Sequence, residues 1–373
     1  MTPDPTTLPD QSPDNAVRLR VSAPSGAYPV DIASGLSRRL GALLEALGTP
    51  KRRFVASNTT VWRLHSDAFE GLTSEEPILL PDGERFKQVG TVGRIYDALI
   101  RANADRATTI VAIGGGVVGD IAGFAAATYL RGVPVVQVPT TLLAQVDSAI
   151  GGKVGVNHAA GKNLIGAYHQ PAAVVIDPDL LATLPRREFR AGLYEVVKYG
   201  VIASRPLFDQ IRARLTQLFA REATVLVPII ADCCRIKGAV VEQDEREAGP
   251  RRALNFGHTI GHALEAATKY RRFLHGEAVG YGMLAAANLS VARGAMPEAD
   301  RDALASVIAQ MGPLPSVSDL SAAQVIETVA RDKKVVAGKL HFVLASGIGA
   351  TKTANDVTTE ELVAAAVGVG LRA

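Results

Sequence analysis

The chain has 373 residues, of which 47% are hydrophobic, and a formal net charge of +3 at pH 7. This length suits two domains with a large core. The charge is small, and lysines stand singly beside glycines or polar residues, which is not typical of a nucleic-acid-binding face. No uninterrupted run of about 18 apolar residues occurs, so no membrane span is expected. The bulk properties favour a globular protein that anchors small anions.

Two features bear on where the protein works. Residues 1–16 contain prolines, threonines and aspartates but no lysine or arginine, so they lack the regions of a signal peptide. We expect a disordered leader there. The only cysteines, Cys233 and Cys234, are neighbours, and adjacent cysteines rarely bridge each other. Without a disulfide framework we expect a reducing compartment, and the cytoplasm is the predicted location.

Residues 17–185 show the pattern of an α/β domain. Alternating apolar residues in 17–21 and 28–32 flank a Pro-Ser-Gly turn and predict a hairpin. Short β-branched runs then alternate with helical stretches, and these runs are 54–57, 109–113, 135–138 and 174–176. Apolar runs bounded by glycine or proline predict a parallel-type sheet with helices on its faces.

Residues 186–373 are predicted to form a second, mostly α-helical domain. Helical spacing of apolar residues runs through 188–199, 207–238, 260–270, 279–292 and 299–311. Only a short piece at 341–344 indicates a strand. We therefore place the boundary between the two domains near residue 185.

The first chemical motif is the glycine run from Gly114 to Asp120, which follows a predicted strand and opens a helix. Glycines let the backbone approach a diphosphate closely, and a helix N-terminus offers N–H groups to it. We expect Asp120 in the first helical turn, where a carboxylate is favoured. A tight turn without a ligand is the alternative, but three consecutive glycines exceed what a turn needs. The run predicts a nucleotide site, although its spacing is not that of the usual Rossmann motif.

Two polar segments around this run suit the same ligand. In the turn at 81–87, Glu84 can accept hydrogen bonds from ribose hydroxyls and Lys87 can support it, although a solvated turn explains the segment better when taken alone. Further on, Lys153 and Lys162 each follow a glycine on a polar loop, and paired Gly-Lys elements suit phosphate capture. A Walker A loop is absent, so nucleotide hydrolysis is disfavoured.

The metal candidates lie in the second half of the chain. His258 and His262 are four residues apart on one helical face, the spacing by which two imidazoles grip one ion. Glu195 stands in an apolar helix with Lys198 three residues on, and a buried carboxylate is costly unless it is paired or bound to a metal. From spacing alone we expect a His258/His262 pair, with His275 or Glu195 completing an open site.

Taken together, these segments resemble the 3-dehydroquinate synthase family, the second enzyme of the shikimate pathway. The resemblance covers nearly everything from Tyr28 onward, and the segments follow the same order along the chain. The matching segments are 81–84, 114–120, 131–134, 147–163, 168–171, 195–198, 251–265, 274–279 and 332–334.

The resemblance implies an α/β NAD-binding domain over 17–185 and a mainly helical metal- and substrate-binding domain over 186–373. It implies that NAD and zinc or cobalt are held tightly while a small phosphorylated sugar acid, 3-deoxy-D-arabino-heptulosonate 7-phosphate, is cyclised to 3-dehydroquinate with release of phosphate. NAD would oxidise the C5 hydroxyl transiently with the metal as Lewis acid, and phosphate elimination, re-reduction and internal aldol closure would follow. The protein mainly supplies positioning and electrostatics.

The resemblance also implies a role for individual residues. It makes His262 a substrate residue, whereas the spacing argument made it a metal ligand. The implied metal ligands are Glu195, His258 and His275. Implied substrate residues are Lys153, Asn163, Lys198 and His262 for the phosphate, Lys237, Arg251, Asn255 and one of Lys333 and Lys334 for hydroxyls and carboxylate, and Asp147 for the reacting region. Implied NAD residues are Asp82, Gly83, Glu84, Lys87, Gly115, Gly116, Val117, Val118, Gly119, Asp120, Thr140, Thr141, Lys153, Lys162, Leu180 and Thr183. Arg131 matches an arginine that reaches across a dimer interface, so a homodimer is implied.

One departure and three alternatives stand beside this interpretation. Tyr194 occupies a place where the family usually has a small residue, and the sequence offers no reason for it. A cyclase that makes a cyclitol would act on a substrate without a carboxylate, which Arg251 and Lys237 disfavour. A metal-dependent polyol dehydrogenase would need no phosphate pocket, and a nucleotide-binding regulatory module would leave the histidines unexplained.

Overall fold

The computed structural model describes residues 16–247, 249–329, 335–336 and 339–373. The chain divides into two compact units: unit 1 is Met1–Pro185 with Ala220–Arg246, and unit 2 is Arg186–Phe219 with Glu247–Ala373. The predicted leader up to residue 15 and the predicted substrate lysines, Lys333 and Lys334, lie outside the described residues.

Unit 1 is built on a seven-stranded sheet with the strand order β1-β2-β9-β6-β5-β3-β4. Its strands are β1 (Val17–Ala23), β2 (Gly26–Ile32), β3 (Arg52–Asn58), β4 (Ile78–Leu80), β5 (Thr108–Gly114), β6 (Val135–Pro139) and β9 (Ala173–Ile176). Neighbours pair in parallel except β1 and β2, which form the predicted hairpin at one edge. The parallel-type sheet is confirmed, and β4 is a short strand that the sequence pattern did not predict.

Helices cover both faces of this sheet, which explains why β5, β6 and β9 in its centre are buried at every position. They are α1 (Leu40–Ala46), α2 (Thr59–His65), α3 (Val89–Arg101) and α4 (Gly116–Thr128). Along β5, Ile110 belongs to a buried cluster with α3 and α4, whereas Val111 belongs to a second cluster with α1. Because alternate side chains point to opposite faces, both faces of β5 are buried.

The segment that carries the two Gly-Lys pairs is a β-hairpin, so its prediction as a polar loop was wrong. It consists of β7 (Lys153–His158) and β8 (Gly161–Tyr168), paired in antiparallel fashion. Val156 is buried within the core of unit 1 and Ile165 packs against the same cluster. A Cβ on Gly155 would lie 2.5 Å from the Ile165 carbonyl oxygen, so this glycine serves close strand pairing. The polar residues between these positions concealed the strand alternation.

Unit 2 is mostly helical, as predicted. Its helices are α5 (Arg186–Ala203), α6 (Arg205–Ala213), α7 (Leu215–Phe219), α9 (His258–Ala267), α10 (His275–Ala292), α11 (Glu298–Gln310), α12 (Ala322–Val329) and α13 (Thr359–Val367). The strand predicted at 341–344 belongs to a hairpin of β12 (Phe342–Gly347) and β13 (Ala350–Ala354), and two-residue strands β10 (Val335–Val336) and β11 (Lys339–Leu340) precede it.

The stretch 207–238 is not one helical segment of the second domain. It divides into α6, α7 and α8 (Ala223–Gln243), and α8 groups with unit 1 because it packs against β1 and against a π-helical turn at Ala144–Ser148. Arg221, in the left-handed region at φ 61°, donates to carbonyl oxygens of residues 181, 182 and 184, also in unit 1. The single predicted boundary at residue 185 therefore has an exception at 220–246. Among the described helices, none is long and apolar enough to cross a membrane.

Candidate active site

Four predicted side chains of unit 2 meet where three helices converge. Glu195 lies in the middle of α5, while His258 and His275 are the first residues of α9 and α10. The Nε2 atoms of His258 and His275 each lie 3.6 Å from Glu195 Oε1. Candidate ligand atoms of His258, His262 and His275 all lie within 4.8 Å of one another. The structure thus brings together every metal ligand that spacing or resemblance proposed.

Glycines allow the three helices to approach closely enough to form this cluster. A Cβ on Gly276, the residue after His275, would overlap the carbonyl oxygen of Ala191 on α5. A Cβ on Gly282 of α10 would overlap the carbonyl oxygen of Gly257, which immediately precedes α9. Contacts this close between backbones leave no room for any side chain. The small residues at the crossings therefore fix where the histidines lie.

Glu195 has the properties expected of a metal-binding carboxylate. Its side chain is fully buried, and neither oxygen accepts a well-directed hydrogen bond from a described residue. Lys198 forms an ion pair with Oε2, which supplies a nearby charge without the geometry of a hydrogen bond. Because Lys198 supplies a positive charge but no well-directed hydrogen bond, the buried carboxylate keeps lone pairs on both oxygens that a metal ion can use. Facing two imidazoles, it suits a divalent ion that takes nitrogen and oxygen ligands, such as zinc.

The two imidazoles that face Glu195 are oriented through their other ring nitrogens. Nδ1 of His258 lies 3.1 Å from the Phe256 carbonyl oxygen, and Nδ1 of His275 lies 3.1 Å from Glu265 Oε2. Both partners only accept hydrogen bonds, so Nδ1 donates in each ring and Nε2, which faces Glu195, is the nitrogen left for a metal ion.

His262 belongs to the same cluster. Proximity therefore does not decide whether His262 is a metal ligand, as its spacing from His258 suggested, or a substrate residue, as the family resemblance implied. Its ring centroid lies 5.3 Å from that of His258 and 5.6 Å from that of His275. Burial separates Glu195, which is wholly enclosed, from His262, which is partly exposed. It does not separate His262 from His275, because both imidazoles are partly exposed.

The structure accounts for the size of Tyr194, the departure from the family pattern. Its ring fills space on Gly280 of α10, where a Cβ would come within 3.1 Å of the ring. The ring is fully buried, and its hydroxyl has no hydrogen-bond partner among the described residues. Burial raises the pKa of Tyr194 to about 12, with Arg190 acting in the opposite direction. Tyr194 is therefore a neutral packing residue beside Glu195.

A short 3-10 helix, Pro250–Asn255, carries two predicted substrate residues just before α9. Arg251 is buried, and Asn255 Nδ2 donates to Glu247 Oε1 at 2.6 Å. Glu247, which the sequence analysis missed, has a left-handed backbone with φ 62°. A non-glycine residue in that conformation often marks a functional segment. No spacing rule signals Glu247; only its contact with Asn255 does.

In unit 1, the predicted glycine run joins β5 to α4 as expected. Gly115 is the N-cap residue and lacks a side-chain cap, so the first N–H groups of α4 are available in the way of any helix N-terminus. A Cβ on Gly115 would lie 3.0 Å from Thr141 Cγ2, and one on Gly116 would lie 2.9 Å from Ser148 Oγ. One on Gly119 would lie 2.7 Å from Gln137 Oε1. Close packing thus explains why several positions of this run are glycine. The uncapped N–H groups at the start of α4 make the same segment suitable for a diphosphate.

Asp120 does not lie in the first turn of α4, contrary to our prediction. The helix begins at Gly116, and Asp120 is its fifth residue. Its carboxylate is ion-paired with Lys87, whose Nζ also donates to Asn163 Oδ1 at 2.6 Å. Burial raises the pKa of Asp120, with Lys87 opposing that shift. The stabilising partner is therefore a lysine ammonium and not the helix dipole.

The same region joins the 81–87 turn to the hairpin of β7 and β8. Asn157 Nδ2 donates to Glu84 Oε1 at 2.8 Å, and the Asn157 N–H donates to the Lys87 carbonyl at 2.8 Å. Lys87 is buried, so the alternative of a purely solvated turn is wrong for that residue. Glu84, Lys87, Asp120 and Asn163, which the sequence placed in separate motifs, form one polar network in unit 1.

A second predicted pair in unit 1 comes from α8 and the π-helical turn. Lys237 is buried, forms an ion pair with the Asp147 carboxylate and donates to the Asp147 main-chain oxygen at 2.6 Å. Sequence reasoning named both residues but could not pair them, because 90 positions separate them. The buried Lys237 ammonium and the partly exposed Asp147 carboxylate therefore form one charged pair within unit 1.

The remaining predicted residues of unit 1 are placed as follows. Thr140 is buried and its hydroxyl has no hydrogen-bond partner among the described residues, whereas Lys153 is exposed. Two more have partners that sequence reasoning missed: Asp82 accepts from Thr60 at 2.5 Å, and the Thr183 hydroxyl lies 2.7 Å from His65 Nε2. The others lie at the helix start, in turns or on the hairpin, and are Gly83, Val117, Val118, Thr141, Lys162 and Leu180.

Comparisons with known proteins agree with this arrangement. Sequence models of the 3-dehydroquinate synthase N-terminal and C-terminal domains match residues 77–191 and 192–335. The 3-dehydroquinate synthase of Geobacter metallireducens is 50% identical over 338 residues, which cover 89% of this chain and 93% of that protein.

Two solved structures are similar over nearly the whole chain. The 2-epi-5-epi-valiolone synthase of Streptomyces hygroscopicus subsp. jinggangensis, with NAD+ and Zn2+ bound, has a TM-score of 0.83 at 29% identity and covers 92% of this chain and 96% of its own. A 2-deoxy-scyllo-inosose synthase complexed with carbaglucose-6-phosphate, NAD+ and Co2+ has a TM-score of 0.83 at 27% identity, over 94% of this chain and 99% of its own. With both domain models matched and half of the residues shared with a full-length relative, the chain belongs to the 3-dehydroquinate synthase family.

Proposed function

We propose that this protein converts 3-deoxy-D-arabino-heptulosonate 7-phosphate to 3-dehydroquinate and phosphate, using NAD and a divalent zinc or cobalt ion. The observation that carries the proposal is the cluster of Glu195, His258 and His275. In it, a fully buried carboxylate without well-directed hydrogen bonds faces two imidazoles whose Nδ1 atoms are already engaged.

In unit 2, Glu195, His258 and His275 would hold the ion. When bound, the ion supplies a Lewis acid for the reacting hydroxyl and NAD supplies a reversible hydride acceptor, so the reaction consumes no NAD overall. We assign Lys198 and His262 to the substrate phosphate, where positive charge and hydrogen-bond donors stabilise the leaving group.

Two further residues of unit 2 suit the remaining polar groups of the substrate. Arg251 is a buried guanidinium whose fork geometry matches a carboxylate. Asn255 is held by Glu247 and can orient a hydroxyl. These contacts position the substrate, and positioning is the main task when a phosphate leaves and a ring closes within one molecule.

In unit 1, the N-terminus of α4 suits the diphosphate of NAD, with Gly115 and Gly116 leaving the backbone uncovered. Glu84 and Asp120 belong to the same polar network of unit 1 and suit ribose or nicotinamide groups. We assign the NAD contacts of Asp82, Gly83, Lys87, Thr140, Thr141, Lys162, Leu180 and Thr183 to the same site, and substrate contacts to Asp147, Lys153, Asn163 and Lys237.

The main alternatives are a cyclase that makes a cyclitol and a polyol dehydrogenase. The solved cyclitol-forming relatives share 27–29% of residues with this chain, whereas the relative named 3-dehydroquinate synthase shares 50%. The buried Arg251 suits a substrate carboxylate, which a cyclitol precursor lacks. The two alternatives differ in substrate and in the fate of NAD, so one assay separates all three.

The test is incubation of the full chain with the heptulosonate phosphate, NAD and zinc, following phosphate release and NADH absorbance together. We expect phosphate release without net NADH accumulation, and loss of release in Glu195→Gln, which keeps the side-chain size but removes the charge. Steady NADH formation from a polyol, with no phosphate release, would establish the dehydrogenase. Release from a hexose 6-phosphate but not from the sugar acid would establish the other cyclase.

We also propose a homodimer in which Arg131 reaches the partner subunit, and a cytoplasmic location. Leu130, Arg131 and Gly132 have consecutive positive φ angles of 48°, 70° and 128°, and Leu130 is 41% exposed. An exposed leucine on a strained segment favours an intersubunit contact. Sedimentation of the wild type and of Arg131→Ala, combined with the activity assay, tests the dimer. Cys233 and Cys234 are not joined in a disulfide, which suits a reducing compartment.

A further inference from the structure

The two histidines that face Glu195 are supported in different ways. Nδ1 of His258 meets a main-chain carbonyl oxygen, that of Phe256, which no substitution removes. Nδ1 of His275 meets a side chain, the carboxylate of Glu265, at 3.1 Å. The Nδ1 contact of His275 therefore involves a replaceable side chain, to which neither spacing nor resemblance gave a role.

Glu265 is placed for this contact by the helix that also carries His258. The two residues are seven positions apart on α9, two helical turns, and so lie on the same face. Glu265 is only 4% exposed, although an isolated carboxylate is costly to bury. Its partner His275 is the first residue of α10, and a carboxylate can only accept, so Nδ1–H of His275 donates to Glu265 Oε2.

The neighbouring buried carboxylate, Glu277, does not share this role. Both of its oxygens accept hydrogen bonds from Arg187 at 2.7 Å, and one also accepts from the Leu274 N–H at 2.9 Å. Burial opposes ionisation of Glu277, but these hydrogen bonds lower its pKa below the usual value. Glu277 thus fixes the start of α10, while Glu265 fixes the ring of the first residue of that helix.

We propose that Glu265 is a positioning residue for the metal site, holding His275 in the tautomer and orientation in which Nε2 faces the ion. This inference rests on one part of the proposed function, namely that His275 binds the metal ion. Carboxylates behind ligating histidines typically contribute about 10–100-fold to metal affinity.

The test measures Zn2+ affinity by competition with a chromophoric chelator, and the visible spectrum of the Co2+-substituted protein, for the full chain and its variants. In Glu265→Ala we expect about 10–100-fold weaker Zn2+ binding and a changed Co2+ spectrum, with NAD affinity unaltered. Glu265→Gln keeps an acceptor for Nδ1–H and loses only the charge, so its effect should be smaller. Glu245→Gln is the matched control, a buried carboxylate of unit 1 that accepts from Ser25 and Gln170.

Two outcomes overturn the inference. One is a wild-type protein that binds zinc while Glu265→Ala binds it equally well with the same Co2+ spectrum. The other is equal loss of zinc affinity in Glu265→Ala and Glu245→Gln, in step with lower melting temperatures of the metal-free proteins, which indicates a general effect on stability. If the expected affinities are found but the wild type releases no phosphate from the heptulosonate phosphate, the proposed function fails and the role of Glu265 stands.

Discussion

The glycine turn of unit 1 and the histidine cluster of unit 2 are both candidate ligand sites, but they are built differently. The turn uses backbone groups from consecutive residues, Gly114 to Asp120, at the start of one helix. The cluster uses side chains from three helices, whose spacing depends on glycines at the crossings. A site made from contiguous backbone should tolerate side-chain changes nearby, whereas a site made from convergent side chains should fail when one ligand or one crossing changes.

The largest expected effect is on metal binding and separates His275 from His262. We expect His275→Ala to weaken Zn2+ binding by more than about 100-fold, beyond the range for residues that act behind a ligand. His262→Ala should retain the metal and lose phosphate release. Metal content after dialysis and chelator competition measure both. Equal metal loss in the two variants would show that His262 is also a metal ligand, as the spacing of His258 and His262 predicted.

The next effect concerns the crossing of α5 and α10. Gly276→Ala should destabilise the metal-free protein by about 1–3 kcal/mol, because the new methyl group overlaps the Ala191 carbonyl oxygen. It should also weaken zinc binding, since His275 is the adjacent residue. The control is Gly93→Ala inside α3, where nothing lies within 4 Å of the added Cβ and helix propensity predicts a gain of up to about 1 kcal/mol. Denaturant unfolding compares the two, and similar stability in both variants would contradict the packing argument.

A smaller effect is expected at the glycine turn. Gly116→Ala places a Cβ 2.9 Å from Ser148 Oγ at the start of α4. Because the serine side chain can rotate aside, we expect NAD affinity to fall only about tenfold, equivalent to about 1.4 kcal/mol. Zinc affinity should not change. Calorimetric titration with NAD measures the change, and unaltered NAD affinity would argue against a diphosphate at this helix N-terminus.

The smallest effect is expected at Tyr194, whose buried hydroxyl has no hydrogen-bond partner among the described residues. At neutral pH, Tyr194→Phe should alter the free energy of unfolding by less than about 1 kcal/mol, in the stabilising direction if at all. The folded pKa of about 12 exceeds the ordinary value of 10.0. The unfolded phenol therefore ionises first, and wild-type stability falls relative to the variant as pH rises from 10 towards 12. Unfolding curves across this range test the sign, and a parallel pH dependence in both proteins would contradict it.

Some parts of the molecule could be predicted because their signal is local. The central strands of unit 1 are continuous apolar runs, and the run at 109–113 lies in β5, both faces of which are covered. Others failed where local patterns conceal long-range packing. In the hairpin of β7 and β8, the adjacent Lys162 and Asn163 and the glycines at 155, 161 and 166 interrupt the alternation of a strand, so it was predicted as a loop. The stretch 207–238 keeps helical spacing across two breaks, and only its contacts place α8 in unit 1.

By itself, the sequence determined which residues are candidates for the chemistry: the glycine run, the two Gly-Lys pairs, Glu195 and the three clustered histidines. These candidates follow from residue type and local sequence context, which can be recognised without knowledge of the fold. Only the tertiary structure decided which of them meet. It paired Asp120 with Lys87, Lys237 with Asp147 and Asn255 with Glu247, and it placed Glu265 behind His275. Most such contacts join residues far apart in the chain or on different elements, and they depend on where strands and helices pack, which no local pattern encodes.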